Sequence, residues 1–218
     1  MGRSVMKLLI GIETCAVHAF SNQQVRDTWL KNCLVDYRFF FGHYSGVLKE
    51  DEISLPIADG HSRLMQKTIL QLNWVLDHGY DFHFRCHTDT YVHLPRLLAS
   101  EFELHDWTGK PLGGPGQDCT HPMIYGGSGS WYSRRAMEFL VSELRRDPNQ
   151  HNNLLAEDWR VGKIFENHIL RNGDDRYRDG LPGPAPENDF ITTHPTFDGS
   201  NLRIWENLLK IHEIASKI

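Results

Sequence analysis

An apolar-rich run, Phe82 to Cys86, stops at His87-Thr88-Asp89, and Leu94-Pro95 opens a short helix a few residues later. A buried strand ending in a polar cluster with a carboxylate is where open α/β sheets hold their ligands. Asp89 would sit at that strand end, able to hold a metal ion and the phosphates the ion carries. Read alone, the same tripeptide is a strand-end histidine and a turn aspartate. His194, late in the chain, would add an imidazole nitrogen, or be a turn residue before Pro195. A carboxylate oxygen and an imidazole, completed by two phosphate oxygens and water, suit octahedral Mn²⁺; Mg²⁺, the alternative, favours oxygen. Glu157-Asp158 is a carboxylate pair at the start of a helix, where exposed N–H groups favour negative charge. It is therefore either a simple cap or a general base at a helix tip. Gly126-Gly127-Ser128-Gly129 lacks the Gly-Lys-Ser/Thr of a P-loop and the spacing of a dinucleotide fingerprint. Its glycines would let a flat ring approach the backbone, or make a tight turn. His83, Arg85 and His87 alternate along one strand face. Zinc sites normally draw ligands from several segments, so a plain strand face is the better reading.

The elements that must position these residues follow from periodicity. Lys7 to Ile12 reads as a first buried strand. Ser21 opens a helix, with Gln24 at capping-box spacing and Val25 and Trp29 on the inward face. Val35 to Phe41 is a second strand closed by Gly42, and Leu48 to Asp59 is acidic and turn-rich. The clearest helix runs from about His61 to His78, with Leu64, Thr68, Ile69, Leu72, Val75 and Leu76 as its stripe and Gly79 as its stop. With the strand that ends at Asp89, the order is β-α-β-α-β, the pattern of a parallel sheet covered by helices. Residues 107–120 read as strand and glycine-rich loop. Ser133 caps a helix whose Ala136, Met137, Leu140, Val141 and Leu144 face inward. Another helix runs from Glu157-Asp158 to about Leu170. Residues 171–189, rich in proline, glycine and charge, read as a long loop of the kind that closes over ligands. Phe190 to Thr193 would be a last strand, and a C-terminal helix carries Leu202, Trp205, Leu209 and Ile211. Nothing marks a second domain, so residues 1–218 form one.

Composition narrows the function classes. Lys and Arg number 23 against 28 Asp and Glu, a net charge of −5. A nonspecific nucleic-acid binder needs a basic footprint, which is absent. The 40% apolar and 23% charged residues are those of an ordinary globular domain. Cys15, Cys33, Cys86 and Cys119 show no CxxC or zinc spacing and read as buried thiols rather than disulfides. The apolar run before Glu13 is too short for a signal peptide or a membrane span.

Taken in order, the blocks resemble the inverting β-1,3-glycosyltransferases: the galactosyl- and N-acetylglucosaminyltransferases with their Fringe-type relatives. Val25-Arg26-Asp27-Thr28-Trp29 resembles the first-helix Arg-x-Thr-Trp. Asp59 through Lys67-Thr68 to Trp74 resembles the long helix before the metal motif. Phe84 to Leu97 resembles Lys-x-Asp-Asp-Asp-Val-Phe-Val-x-Leu-Pro, Tyr125 to Ser133 resembles Tyr-x-x-Gly-x-Gly-Tyr-x-x-Ser, and Glu157 to Gly162 resembles Glu-Asp-Val-x-x-Gly. His194 falls where the family has a late metal-binding histidine. The likeness covers nearly the whole chain, with one departure: His87-Thr88-Asp89 stands in place of three aspartates.

The resemblance implies a GT-A-like α/β/α sandwich with a mostly parallel central sheet. It implies transfer of a sugar from a UDP-sugar to a carbohydrate hydroxyl, with Asp89 and His194 as metal ligands. Asp158 would be the general base and Glu157 the less favoured one. Thr14, Arg26, His87, Thr88, Gly127, Ser128 and Gly129 would line the donor, and Trp131 or Trp159 offers a flat face to a ring. The changed His87-Thr88 leaves room for a catalytically degenerate module that binds nucleotide or glycan. A metal-dependent hydrolase built on the histidines is a further alternative. A cytoplasmic, viral or microbial enzyme is expected if the chain is complete, and the lumenal ectodomain of a Golgi-type enzyme if an anchor precedes it.

Overall fold

The computed structural model describes residues 6–112, 123–150, 156–179, 189–194, 208–213 and 215. Strand β1 (Leu8–Glu13) lies at the centre because nearly every residue in it is apolar and buried. Such continuous runs belong to parallel strands covered on both faces. It pairs in parallel with β2 (Asp36–Phe41) on one side and β4 (Phe82–His87) on the other, while β3 (Glu52–Ser54) adds to β2.

The period of two along each strand divides the core. Ile10, Ile12, Phe39, Phe41, Phe84 and Cys86 point to one face, where α1 (Ser21–Asp27), Trp29 and the C-terminal helical residues Leu208 and Ile211 cover them. Leu9 and Phe40 point to the other. There they meet Leu72 and Val75 of α2 (Leu64–Asp77), followed by the helix α4 described below. Gly79, at φ +74°, ends the α2 segment as expected.

Past β4 come β5 (Tyr91–Val92), α3 (Leu94–Leu98), β6 (Trp107–Gly109) and the small hairpin of β7 (Pro111–Leu112) with β8 (Met123–Ile124). Strand β9 (Ser130–Ser133) then runs antiparallel between β4 and β6. It leads into α4 (Arg134–Arg146), where Ser133 Oγ accepts the Ala136 N–H at 3.1 Å. All five expected inward residues of α4, Ala136, Met137, Leu140, Val141 and Leu144, are buried. Helix α5 (Glu157–Phe165) is followed by β10 (Arg171–Gly173), β11 (Tyr177–Asp179) and β12 (Thr192–His194). The seven-stranded sheet has the order β10-β6-β9-β4-β1-β2-β3, and β11-β12-β5 form a second, three-stranded sheet.

Several expectations are corrected. Ser21 is the first helical residue of α1 rather than its cap; its hydroxyl donates back to His18 O at 2.5 Å. The acidic stretch after Leu48 contains β3, an edge strand. The glycine block is followed by strand β9. The section 171–179 is not a loop: β10 joins the main sheet beside β6 and β11 pairs with β12. Leu209 is half exposed, while Leu208 takes the inward position. Leu202, Trp205, Cys119 and residues 180–188 lie outside the described residues. Cys15, Cys33 and Cys86 are free thiols. No helix among the described residues is long and apolar enough to cross a membrane.

Candidate active site

The carboxyl ends of β1 and β4 lie side by side, with Glu13 in register with His87. Just beyond them, Thr14, Thr88 and Asp89 face a cavity of about 540 Å³, closed on its far side by Asp59, His61 and Lys67. Asp59 organises that far wall. Its carboxylate accepts the Gly42 N–H at 2.9 Å and Lys67 Nζ at 3.0 Å, and Lys67 also donates to Thr14 O at 2.5 Å. Thr14 Oγ1 and Asp89 Oδ1 are buried without a hydrogen-bond partner among the described residues. Buried polar atoms are rarely left unsatisfied, and such an atom beside a cavity marks a place for a ligand.

Strand β12 explains why His194 reaches Asp89. Its antiparallel pairing with β5, Thr193 opposite Tyr91, turns the chain back over the β4 end. His194 Nε2 then lies 3.3 Å from Asp89 Oδ2, and the Tyr125 ring stands edge-on to the imidazole at 5.9 Å. Burial alone would raise the Asp89 carboxyl, but the hydrogen bond and charge of His194, with His87 nearby, hold it below the usual range. Asp89 is thus an anionic oxygen donor with one oxygen uncommitted, next to an imidazole. This donor pair fits a manganese-type ion that takes its remaining ligands from phosphate and water. Among the described residues no group of three or more His, Cys, Asp or Glu could hold a metal.

Behind the cavity wall, and joined to it through Glu13, lies a buried charge cluster centred on Arg85. Its Nε donates to Glu13 Oε1 and its Nη2 to Glu157 Oε2, each at 2.8 Å. Thr68, on α2, donates its hydroxyl to the other Glu157 oxygen. Burial pushes Glu157 up to about 7; Arg85 opposes this, and Glu13 and Asp158 reinforce it. Glu13 is also buried, yet Arg85, His87 and Lys67 outweigh the desolvation and leave it below the ordinary carboxylate range. Asp158 is only partly buried. Desolvation raises it, while Arg85 and the Gly126 N–H pull the other way. A side chain at Gly126 would place its Cβ 2.6 Å from Asp158 Oδ1, so only glycine admits the carboxylate there.

No protein-family model matches the chain. Among solved structures, a glycosyltransferase involved in glycosylating the major capsid of the virus PBCV-1 superposes with a TM-score of 0.58 at 12% identity, over 97% of this chain and 100% of that one. The glycosyltransferase GlyE of Streptococcus pneumoniae superposes with a TM-score of 0.60 at 9% identity, over 98% of this chain and 63% of GlyE. Its apo form gives 0.58 at 11% identity, over 98% and 62%. The fold is a glycosyltransferase fold of the GT-A type. In this glycosyltransferase fold the cavity and the Asp158 turn both lie at the carboxyl edge of the parallel strands, the edge at which such sheets bind ligands.

Of the residues expected to line the donor, Thr14, His87 and Thr88 do line the cavity. His87 Nε2 lies 3.8 Å from Glu13 Oε2, and burial pushes its imidazole down against the pull of Glu13. Gly127 presents its carbonyl to the Thr90 hydroxyl at 2.9 Å. Ser128 is fully buried, its hydroxyl donating to Arg178 O at 2.8 Å and its carbonyl accepting from Thr192, so it ties the turn to the small sheet. Gly129, at φ +81°, is required because a Cβ would meet Phe84 Cζ at 2.5 Å. Arg26 is set apart: its guanidinium binds Asp51 and Glu52, each at 2.7 Å, over the Phe39 ring, and it lines a different, charged groove. Trp131 is buried and stacked on Phe102 at 3.9 Å, so its face is not offered to a sugar; Trp159 is about one third exposed.

The strand face His83-Arg85-His87 is not a metal face. His83 is fully buried, accepts from the Gln71 amide at 3.1 Å, and is pushed down to about 3 by burial and by Arg85. Sequence reasoning missed Glu13, Asp59 and Lys67, and it saw Arg85 only as part of that face. One signal for Arg85 was present: a cation in the middle of an otherwise apolar strand must find anions when buried.

Proposed function

We propose that this chain is an inverting glycosyltransferase of the β-1,3 type, moving a sugar from a UDP-sugar to a glycan hydroxyl. The observation that carries the reading is the pairing of Asp89 with His194 beside the cavity, with Asp89 Oδ1 uncommitted. Thr14, His87 and Thr88 would meet the donor's nucleotide and diphosphate, and the Gly127–Gly129 turn would flank the sugar. Asp89 and His194 would hold Mn²⁺, with Mg²⁺ as the alternative; when bound, it supplies Lewis-acid stabilisation of the UDP leaving group.

The reacting base is Asp158. Both oxygens of Glu157 are already engaged by Arg85 and Thr68, whereas Asp158 is partly exposed and Arg85 favours its ionised form. Asp158 takes the proton from the acceptor hydroxyl as that oxygen bonds to the anomeric carbon. The bond from that carbon to the UDP oxygen breaks on the opposite face, and the configuration inverts to a β-linkage. His87 and Thr88 replace two carboxylates of the family motif with an imidazole and a hydroxyl, which reduces the negative charge facing a diphosphate.

The test is Asp158→Asn, assayed for transfer from UDP-sugars and for UDP binding. Turnover should fall by on the order of 10²–10⁴, the usual worth of a general base, with UDP binding nearly intact. Turnover equal to wild type removes Asp158 from the mechanism. UDP bound by the wild type without transfer or donor hydrolysis would make the chain a binding module instead.

A further inference from the structure

We propose that Arg85 is a positioning residue for the transfer reaction, tying the first turn of α5, and with it Asp158, to the wall of the donor cavity. This rests on the assignment of Asp158 as the base. The geometry is a bridge. One nitrogen of the guanidinium holds Glu13, the last residue of β1 and part of the cavity wall. A second holds Glu157, the residue before Asp158. The third, Nη1, and Asp158 Oδ1 both approach Gly126, at 3.4 Å and 2.6 Å from where its Cβ would be, and the Arg85 charge acts on Asp158 through space. A guanidinium is the side chain for this task, since its planar fork fixes several acceptors at once where an ammonium is a single point charge. The bridge is almost wholly buried: Arg85 is 1% exposed. Water therefore screens it little, and β4, whose carboxyl end leads to Asp89, also sets the place and the charge of the base.

The groups facing Asp158 define the expected pH behaviour. They are Arg85 on β4, Glu13 on β1, Tyr132 on β9, His61 ahead of α2, and its own neighbour Glu157. Glu157 and Asp158 share the Arg85 charge, and Asp158 ionises first, since its charge is one of the causes that raise Glu157. Glu157→Gln keeps the shape: its amide can accept from Arg85 and donate to the Thr68 hydroxyl, which turns to receive it. Below about pH 7, where Glu157 holds its proton, the amide stands in for the neutral acid and leaves the charge around Asp158 unchanged.

The experiment records kcat and KM against pH for wild type, Glu157→Gln and Arg85→Lys, with Asp158→Asn as the control. UDP-induced melting shifts check that each variant folds. Glu157→Gln, which keeps both contacts of the bridge, should hold kcat along the acidic limb close to wild type. Arg85→Lys keeps the charge but cannot reach both glutamates, so kcat should fall roughly 10-fold or more, as expected for a displaced reacting group, with donor KM changed far less. An Arg85→Lys enzyme with wild-type kcat, or a Glu157→Gln enzyme that loses as much kcat as Arg85→Lys, overturns the bridge. Normal turnover in Asp158→Asn overturns the base assignment itself. Loss of turnover there with wild-type kcat in Arg85→Lys refutes the Arg85 role alone.

Discussion

The buried Glu157 makes folding stability depend on pH in a direction opposite to most carboxylates, and Glu157→Gln isolates the effect. Burial and neighbouring carboxylates raise this group from 4.5 to about 7, against the pull of Arg85. The folded protein therefore holds a proton on Glu157 over a range where the unfolded chain has lost it. Where the native state binds more protons, stability falls as pH rises. The window runs from about 4.5 to about 7, and at roughly 1.4 kcal/mol per unit it is worth up to about 3 kcal/mol. His83 acts with the opposite sign in part of this window. Its folded value is pushed down to about 3, so below its ordinary 6.5 the unfolded chain binds the extra proton and stability rises with pH. The wild-type curve alone mixes the two, but the difference between wild type and Glu157→Gln cancels His83. Denaturant melts at about pH 5 and about pH 8 would measure it. Relative to wild type, the variant should gain about 2–3 kcal/mol on going from the acidic to the basic condition. A stability difference that stays constant across that range, or moves the other way, refutes the assignment of a raised, proton-holding Glu157.

Other expectations follow from single contacts. Gly126→Ala should fold and bind UDP, yet lose roughly 10-fold or more in kcat, because its Cβ would take the space of Asp158 Oδ1; steady-state kinetics beside a UDP melt would show it. Arg26→Ala should leave the donor KM unchanged while lowering stability by about 1–3 kcal/mol, since it strands the Asp51 and Glu52 carboxylates. A raised donor KM in that variant would return Arg26 to the donor site.

The parts legible in the sequence were those with enough residues to show a period. The stripe of α2 and the five inward residues of α4 read directly, and the apolar and aromatic runs of β1, β2 and β4 placed the central strands. Strands of two to four residues, such as β3, β5, β9 and β10, escaped because so short a segment carries no period of its own. Each is held in place by a neighbour. Ser130–Ser133, for example, is a strand because β4 and β6 flank it on both sides. In the site, Asp89 and His194 were legible as metal-ligand residue types at strand ends, although only the β5–β12 pairing brings them together. Arg85 was not, because what makes it internal is a pair of glutamates each 72 residues away along the chain. Arg26 was misplaced for the same reason in reverse: the strand that captures it, β3, was itself unseen.

The most direct test of the donor site is a thermal-melt series of wild type and Asp89→Ala with UDP, in Mn²⁺ or in chelator. Ligand at about 100 times its Kd adds roughly 2.7 kcal/mol of stability, a readily measured shift. The wild type should show that shift with UDP only when Mn²⁺ is present, and Asp89→Ala should show none. A UDP shift that survives chelation, or one that Asp89→Ala retains in full with Mn²⁺, would contradict a metal–diphosphate site built on Asp89 and His194.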